Sequence, residues 1–217
     1  MTSFDVRLIQ AAEQMGLSLD DKQRQAILVY LELIQKWNKT YNITAIKEAE
    51  QILIQHIFDS LSVVAPLKDK INPNDEAIVL DVGSGGGLPG VIIAICCPQW
   101  IVTCIDAVEK KTSFITMVAG RLGLKNLRSK HCRIEDYESD IADLVVSRAF
   151  ASLSDFANWS GHTLKQSGHL AAMKGHYLED EVQELEATSE WQVKSWQTLK
   201  VVDMDAERCL IWMSRKG

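Results

Sequence analysis

Proline and glycine are nearly absent from the start of this 217-residue chain. Residues 1–65 hold no proline and a single glycine, Gly16, so little interrupts helix formation there. No apolar run reaches the roughly 20 residues of a membrane span, so no membrane partner is expected. The first residues, Met1–Arg7, lack a basic segment followed by an apolar stretch, and a signal peptide is not expected. Cysteine is sparse and unpatterned: Cys96, Cys97, Cys104, Cys132 and Cys209 form no C-x-x-C pair. They read as reduced packing residues of a cytoplasmic protein. The histidines His56, His131, His162, His169 and His176 show no H-x-x-x-H or H-E-x-x-H spacing, and no G-x-S-x-G elbow occurs. Hydrolase and redox readings have no motif to rest on, and no metal is expected.

Positive charge is also short. The net charge is −6, which suits a nucleic-acid binder poorly. Distribution matters more than the sum. Arg121, Lys125, Arg128, Lys130 and Arg133 follow one another with His131 and no acid between, while acids gather in 135–143 and 179–190. Such runs are ordinarily solvated faces. Composition therefore leaves an RNA partner open without supporting it. With 47% apolar and 24% charged residues, the chain can build one large domain with a substantial core.

What the early chain lacks in glycine appears in one place. Asp81–Gly90 reads D-V-G-S-G-G-G-L-P-G, between the β-rich run Ala77–Leu80 and the apolar stretch Val91–Cys97. A strand, a glycine turn and a helix make a ligand loop. Glycines permit positive φ and let a ligand approach the backbone, and the helix start adds unpaired N–H donors. Counted from Gly83 and Gly85, the dinucleotide pattern G-x-G-x-x-G meets Leu88 where its last glycine belongs. The spacing that fits is D-x-G-x-G-x-G on Asp81, Gly83, Gly85 and Gly87, which resembles the first motif of Rossmann-like S-adenosylmethionine methyltransferases.

A second run, Ile101–Ile105, is followed by Asp106. In a βαβ cofactor fold, an acid at this place accepts ribose hydroxyls. It would also form a helix-capping box with Glu109, and both roles can hold at once.

The remaining chain divides by rhythm. Before residue 66 three helices are expected. The first starts at Leu8, Ile9 and Ala12 and ends at Gly16; the second is capped by Asp20 with Gln23 and has an apolar stripe Ile27, Tyr30, Leu31, Ile34 and Trp37. A break follows at Asn38–Asn42, and the third helix, Glu48–Val64, is closed by Pro66. From Ala77 strands and helices alternate: helix Lys110–Leu122, strands Leu127–His131 and Ala142–Val146, helix Asp155–Leu164, strand His169–Met173, helix Glu179–Thr188. Two last strands, Gln192–Lys200 and Arg208–Met213, lie close enough to pair antiparallel across a short turn. The expected fold is α/β, a Rossmann-like class I S-adenosylmethionine-dependent methyltransferase with a seven-stranded, mostly parallel sheet. Residues 1–66 form an N-terminal helical cap and 77–217 the methyltransferase domain, one compact unit overall.

Ligands in such sheets sit at the carboxyl ends of the strands. That rule selects Ile134 and Glu135 after the third strand, for packing on adenine and accepting its amino hydrogens. It also selects Arg148 after the fourth strand, to pair with a carboxylate or a phosphate, and Lys174 after the fifth. Phe150 either stacks on a base or, the favoured reading, packs as core.

With these residues in view, the chain closely resembles the glucose-inhibited division protein B family. The resemblance rests on Lys36–Thr44 (K-W-N-K-T-Y-N-I-T), His56–Ser60 (H-I-F-D-S), Asp81–Gly90, Ser147–Ser152 (S-R-A-F-A-S), Lys174-Gly175 and Glu207-Arg208. It implies transfer of a methyl group from S-adenosylmethionine to guanine N7 in small-subunit (16S) ribosomal RNA. It implies that Gly83, Leu88, Ile134, Glu135 and Arg148 hold the cofactor, with Gly85 and Asp106 added by the loop pattern. Lys174 and Arg208 are expected to hold RNA, naked or in the small ribosomal subunit, and a monomer is expected. No essential acid or base is expected, since N7 carries a lone pair; Arg148 is a positioning residue. The chain departs from the family at Gln55, where arginine is usual, and at Gly86, where proline is frequent. Trp37, Asn38, Tyr41 and Asn42 are expected either to cover the cleft or, for Trp37 above all, to glue the cap to the sheet. A small-molecule methyltransferase shares the loop and Asp106, but its lid should be apolar, whereas Trp37–Thr44 is polar. A binding module that holds the cofactor without turnover is the third reading.

Overall fold

The computed structural model describes residues 3–72, 74–138, 141–148, 150 and 152–217. Ala149 and Ala151 of the Ser147–Ser152 motif lie outside them. The chain opens with helices α1 (Ser3–Gln14) and α2 (Asp21–Tyr41). Asp20 caps α2 through the expected box: its side chain accepts from Gln23 N–H while the Gln23 side chain accepts from Asp20 N–H.

Two expectations about this region are corrected. The helix does not break at Asn38, because that side chain bonds outward, to Ile46 O at 2.8 Å and Thr44 N at 2.9 Å, and leaves the helical backbone alone. The stop comes at Asn42, in the left-handed conformation with φ 48°. The next helix is also not continuous. It runs as α3 (Ala49–Ile52), a π-helical turn (Leu53–Phe58) and α4 (Asp59–Leu61). A further helix, α5 (Val64–Lys70), then carries Pro66 in its first turn, where a missing N–H has no helical partner to lose. Pro66 therefore helps to open a helix, not to close one.

The α/β half follows as β1 (Ala77–Val82), α6 (Gly90–Cys96), β2 (Trp100–Asp106), α7 (Glu109–Leu122), β3 (Leu127–His131) and β4 (Ala142–Ser147). It continues with α8 (Leu153–Ser160), β5 (Leu164–Lys174), α9 (Glu179–Thr188), β6 (Trp191–Thr198) and β7 (Cys209–Arg215). The strands form one sheet in the order β3-β2-β1-β4-β5-β7-β6. The first five are parallel and β7 is antiparallel to both of its neighbours. The connection between β6 and β7, residues 199–208, is longer than the expected short turn and buries Leu199 and Val201.

Alternating side chains of the central strands go to opposite faces, and both faces are buried. Val79, Leu144, Val146, Ala171 and Leu210 join one core with α6, α7 and the N-terminal helices. Leu80, Val145, Leu170, Ala172 and Ile211 join the other with α8 and α9. The N-terminal cap is thus one of the layers that cover the sheet. Trp37 packs on Phe114 of α7, ring centroids 5.4 Å apart, which fixes the end of α2 to the α/β half. The basic run Arg121–Arg133 spans the end of α7 and the edge strand β3. Charge there protects an open strand edge from pairing with another chain.

Candidate active site

The strand order reverses between β1 and β4, and the glycine loop emerges at that point. Its start is tied to the end of β2: Gly83 N–H and Ser84 N–H both donate to Ile105 O, at 2.9 and 3.1 Å. Its end turns tightly, with Gly87 N–H and Leu88 N–H donating to Ser84 O. Gly85 has φ 58°, and a Cβ added there would meet nothing within 4 Å. The space above it is open, as a ligand cradle requires. At Gly86 an added Cβ would stand 2.7 Å from Ile43 Cγ2. Glycine at this position leaves room for that cap side chain.

The cap and loop are hydrogen-bonded as well as packed. Tyr30 Oη donates to Gly86 O at 2.7 Å, and burial raises the phenol's pKa well above its ordinary value, so it remains a donor. Asp106, the last residue of β2, uses Oδ2 to accept from Gly85 N–H at 2.8 Å and Oδ1 to accept from Val108 N–H at 2.9 Å. The capping box with Glu109 does not form; α7 begins after Val108 with no side-chain cap.

Asp81 lies beneath the loop, fully buried, and accepts from Gly90 N–H at 2.7 Å through Oδ2, while Oδ1 has no hydrogen-bond partner. Burial pushes its pKa up to about 7, against the pull of the Gly90 N–H. A carboxyl whose folded pKa exceeds its unfolded one stabilises most below the unfolded pKa. That contribution is lost as pH rises through the folded value. Asp81→Asn should therefore gain stability relative to the parent between about pH 4 and 7, by up to about 1.4 kcal/mol per pH unit. Denaturant midpoints measured across that range check this; a constant difference would contradict the buried charge.

Three cavities run together along the carboxyl ends of the strands. The first, about 270 Å³, lies between the loop and the cap and is lined by Gly83, Gly85, Leu88, Ile34, Ile43 and Arg148, with Thr44 and His56. The second, about 200 Å³, shares Gly83 and is lined by Asp106, Ile134, Glu135, Phe150 and Trp159. The third, about 430 Å³, shares Arg148 and His56 with the first and adds Asp59, Lys174 and Arg208. Gly83, Gly85, Leu88, Asp106, Ile134, Glu135, Arg148, Lys174 and Arg208 are thus brought to one cleft. Strand register explains the cations: β4, β5 and β7 are neighbours, and Lys174 pairs with Cys209, beside Arg208.

Each of these cations also has an acidic partner within the protein. Arg148 Nη1 lies 2.9 Å from Asp59 Oδ2 and donates to Gln55 O at 3.3 Å. Arg208 Nε lies 3.0 Å from Asp59 Oδ1. Lys174 Nζ lies 2.9 Å from Glu181 Oε2. Asp59 received no role from sequence reasoning, although His56–Ser60 marked its segment.

Phe150 is half-buried: it packs against the second core, tilted on Phe156 and edge-on to Trp159, and also lines the second cavity. The roof of the first cavity is Ile34, Ile43 and Thr44, whereas Asn38 and Asn42 line a separate hollow with Lys39 and Lys47. The lid over the loop is therefore partly apolar, and its polarity does not separate RNA from small-molecule acceptors.

His56 was also unassigned. Burial first, then the charge of Arg148, lowers its pKa to about 4, so the ring is neutral at physiological pH. Its Nε2 is 2.6 Å from Thr44 Oγ and its Nδ1 3.0 Å from Gln55 O. A neutral ring satisfies both as Nδ1–H donor and Nε2 acceptor. Between about pH 5 and 8 the His56→Gln variant should keep the shape of the parent pH–rate profile. A parent step near 6.5 that vanishes in the variant would contradict the neutral ring.

Comparison with known proteins agrees with this geometry. A protein of Bordetella petrii named ribosomal RNA small subunit methyltransferase G is 51% identical over 96% of this chain and 82% of its own length. One of the same name from Bordetella avium is 52% identical over 96% of this chain and 92% of its own. Among solved structures, the Burkholderia thailandensis 1,6-didemethyltoxoflavin-N1-methyltransferase, with S-adenosylhomocysteine bound, superposes with TM-score 0.60 at 14% identity, over 87% of this chain and 90% of its own. A SAM-dependent methyltransferase from Aquifex aeolicus gives 0.54 at 19% identity, over 71% and 92%. Those two likenesses establish the class I methyltransferase fold. The profile of the family described as rRNA small subunit methyltransferase G matches residues 23–211, and the chain belongs to that family.

Proposed function

We propose that this protein transfers the methyl group of S-adenosylmethionine to N7 of a guanosine in 16S ribosomal RNA, acting as a monomer. The observation that carries the reading is the single cleft joining the glycine cradle to a chamber that holds Arg148, Lys174 and Arg208. The cradle fits the cofactor: open space stands over Gly85, buried Ile134 offers an apolar face, and Asp106 and Glu135 offer carboxylates. Gly83, Gly85, Leu88, Asp106, Ile134 and Glu135 would hold it there. Bound S-adenosylmethionine supplies a methyl group on a sulfonium, which leaves as a neutral thioether.

The chain's own task is then placement. Guanine N7 is a major-groove acceptor with a free lone pair, so no side chain has to remove a proton first. His56 does not supply a base either: with its pKa lowered to about 4 it is a weak one, and its Nε2 is already bonded to Thr44. Holding two reactants in line is worth roughly 7–11 kcal/mol at best, enough to make positioning the main contribution. Arg148, at the junction of the first and third cavities, orients the acceptor, while Lys174 and Arg208 meet RNA phosphates. The target base reaches the cleft by leaving its stack. The cap (1–66) and the α/β half (77–217) act together, because each lines the first cavity.

A small-molecule acceptor is the second reading, favoured by the apolar Ile34 and Ile43 over the loop. Incubation of the purified protein with labelled S-adenosylmethionine separates the two. Naked 16S RNA or small subunits lacking the modification should become labelled, and small metabolites should not. Label confined to small molecules would reverse the choice.

A further inference from the structure

Asp59 is an acid in the chamber where a polyanion is to bind. It is 2% exposed, and its two oxygens meet two different guanidinium groups, Oδ2 that of Arg148 at 2.9 Å and Oδ1 that of Arg208 at 3.0 Å. These partners come from distant parts of the chain, Arg148 just after β4 and Arg208 just before β7. The bonds formed by Arg148 use Nη1, and those formed by Arg208 use Nε and Nη1, which donates to Glu207 O at 2.8 Å. Among the described residues, none of these bonds uses Nη2 of either arginine, and both side chains line the third cavity.

If RNA affinity were all that mattered, the carboxylate would be a liability, since it cancels part of the charge that attracts phosphates. What it does provide is geometry. A planar guanidinium held at one edge by a fixed carboxylate presents its other edge in a set direction. The preceding π-helical turn, Leu53–Phe58, contributes to this. One residue inserted into a helix rotates everything after it by about 100°, and Asp59 is the first residue after this turn.

We propose that Asp59 is a positioning residue for methyl transfer: it aligns Arg148 and Arg208 as one rigid pair that sets the RNA backbone over the cleft, giving up RNA affinity to do so. The inference rests on the RNA-methylating function proposed above. Its test compares the parent protein with Asp59→Asn, using small-subunit RNA that lacks the modification and labelled S-adenosylmethionine. The variant should lose on the order of tenfold to a hundredfold in kcat, the scale of a small misplacement. Its RNA affinity at low salt should be equal or higher, with a salt dependence steeper by roughly 0.7 for each additional phosphate neutralised. Cofactor affinity should not change.

Turnover within twofold of the parent in folded Asp59→Asn would overturn the proposal. So would a parallel fall in RNA affinity, cofactor affinity and turnover, which marks plain structural support. Arg208→Lys is the second variant, for use if Asp59→Asn does not fold: it keeps the charge but lacks the Nε donor, and should show the same loss of kcat with RNA affinity kept. Lysine working as well as arginine there would overturn the proposal. In the Arg208→Lys background Asp59→Asn should cost less than it does alone, because one of its two arginine contacts is already lost. A parent that methylates no RNA would overturn the function itself, a result separate from any effect of Asp59→Asn in an active parent.

Discussion

Gly85→Val should abolish S-adenosylmethionine binding and leave the fold standing. Gly85 holds φ 58°, so a β-branched residue there carries left-handed strain of about 1–2 kcal/mol. That is affordable for a domain stable by roughly 5–15 kcal/mol. No atom lies within 4 Å of the new Cβ, so the surrounding core is not disturbed. The side chain instead enters the first cavity, where the ligand has to approach the backbone. Affinity should fall at least about a hundredfold, or roughly 2.7 kcal/mol. Titration calorimetry and a thermal melt on the same sample measure both halves. Binding within threefold of the parent would place the cofactor elsewhere.

Arg148→Ala is expected to cost on the order of a hundredfold in turnover, with a smaller loss of cofactor affinity. The residue borders both the loop cavity and the chamber with Lys174 and Arg208, so its loss removes the link between the two reactants. Stability should fall too. Asp59 is buried and would keep only Arg208, which costs about 1–2 kcal/mol once the partial exposure of Arg148 is discounted. Steady-state kinetics with saturating RNA, beside calorimetry for the cofactor, separate the effects. Parent values for both turnover and cofactor affinity would remove Arg148 from the mechanism.

The α/β half was legible because its signals are local. Short apolar runs bounded by glycine and acid gave β1 and β2, and strand β3 and helix α9 fall where periodicity alone put them. The rule that ligands gather at carboxyl strand ends chose Ile134, Glu135, Arg148 and Lys174, and all four line the cleft. The helical cap was less legible. Asn38 looked like a helix breaker, but its amide found partners in residues 44 and 46 that a local reading could not supply. The π-helical turn leaves no mark in composition, since Leu53–Phe58 has ordinary helical residues. For that reason Asp59 was invisible as a partner of Arg148 and Arg208: the triad joins residues far apart in sequence, and only the fold brings them together. His56 stood without a metal motif, and its neutrality depends on burial, which spacing does not encode.

The central claim is that this cleft methylates a guanine at N7 by placement alone. Digestion of 16S RNA labelled by the purified protein, followed by chromatography of the nucleosides, tests it most directly. The account predicts that the label appears as 7-methylguanosine, from one site. Label in any other nucleoside, or on an exocyclic amine or ribose hydroxyl that must first lose a proton, would contradict it and require a base that the cleft has not been assigned.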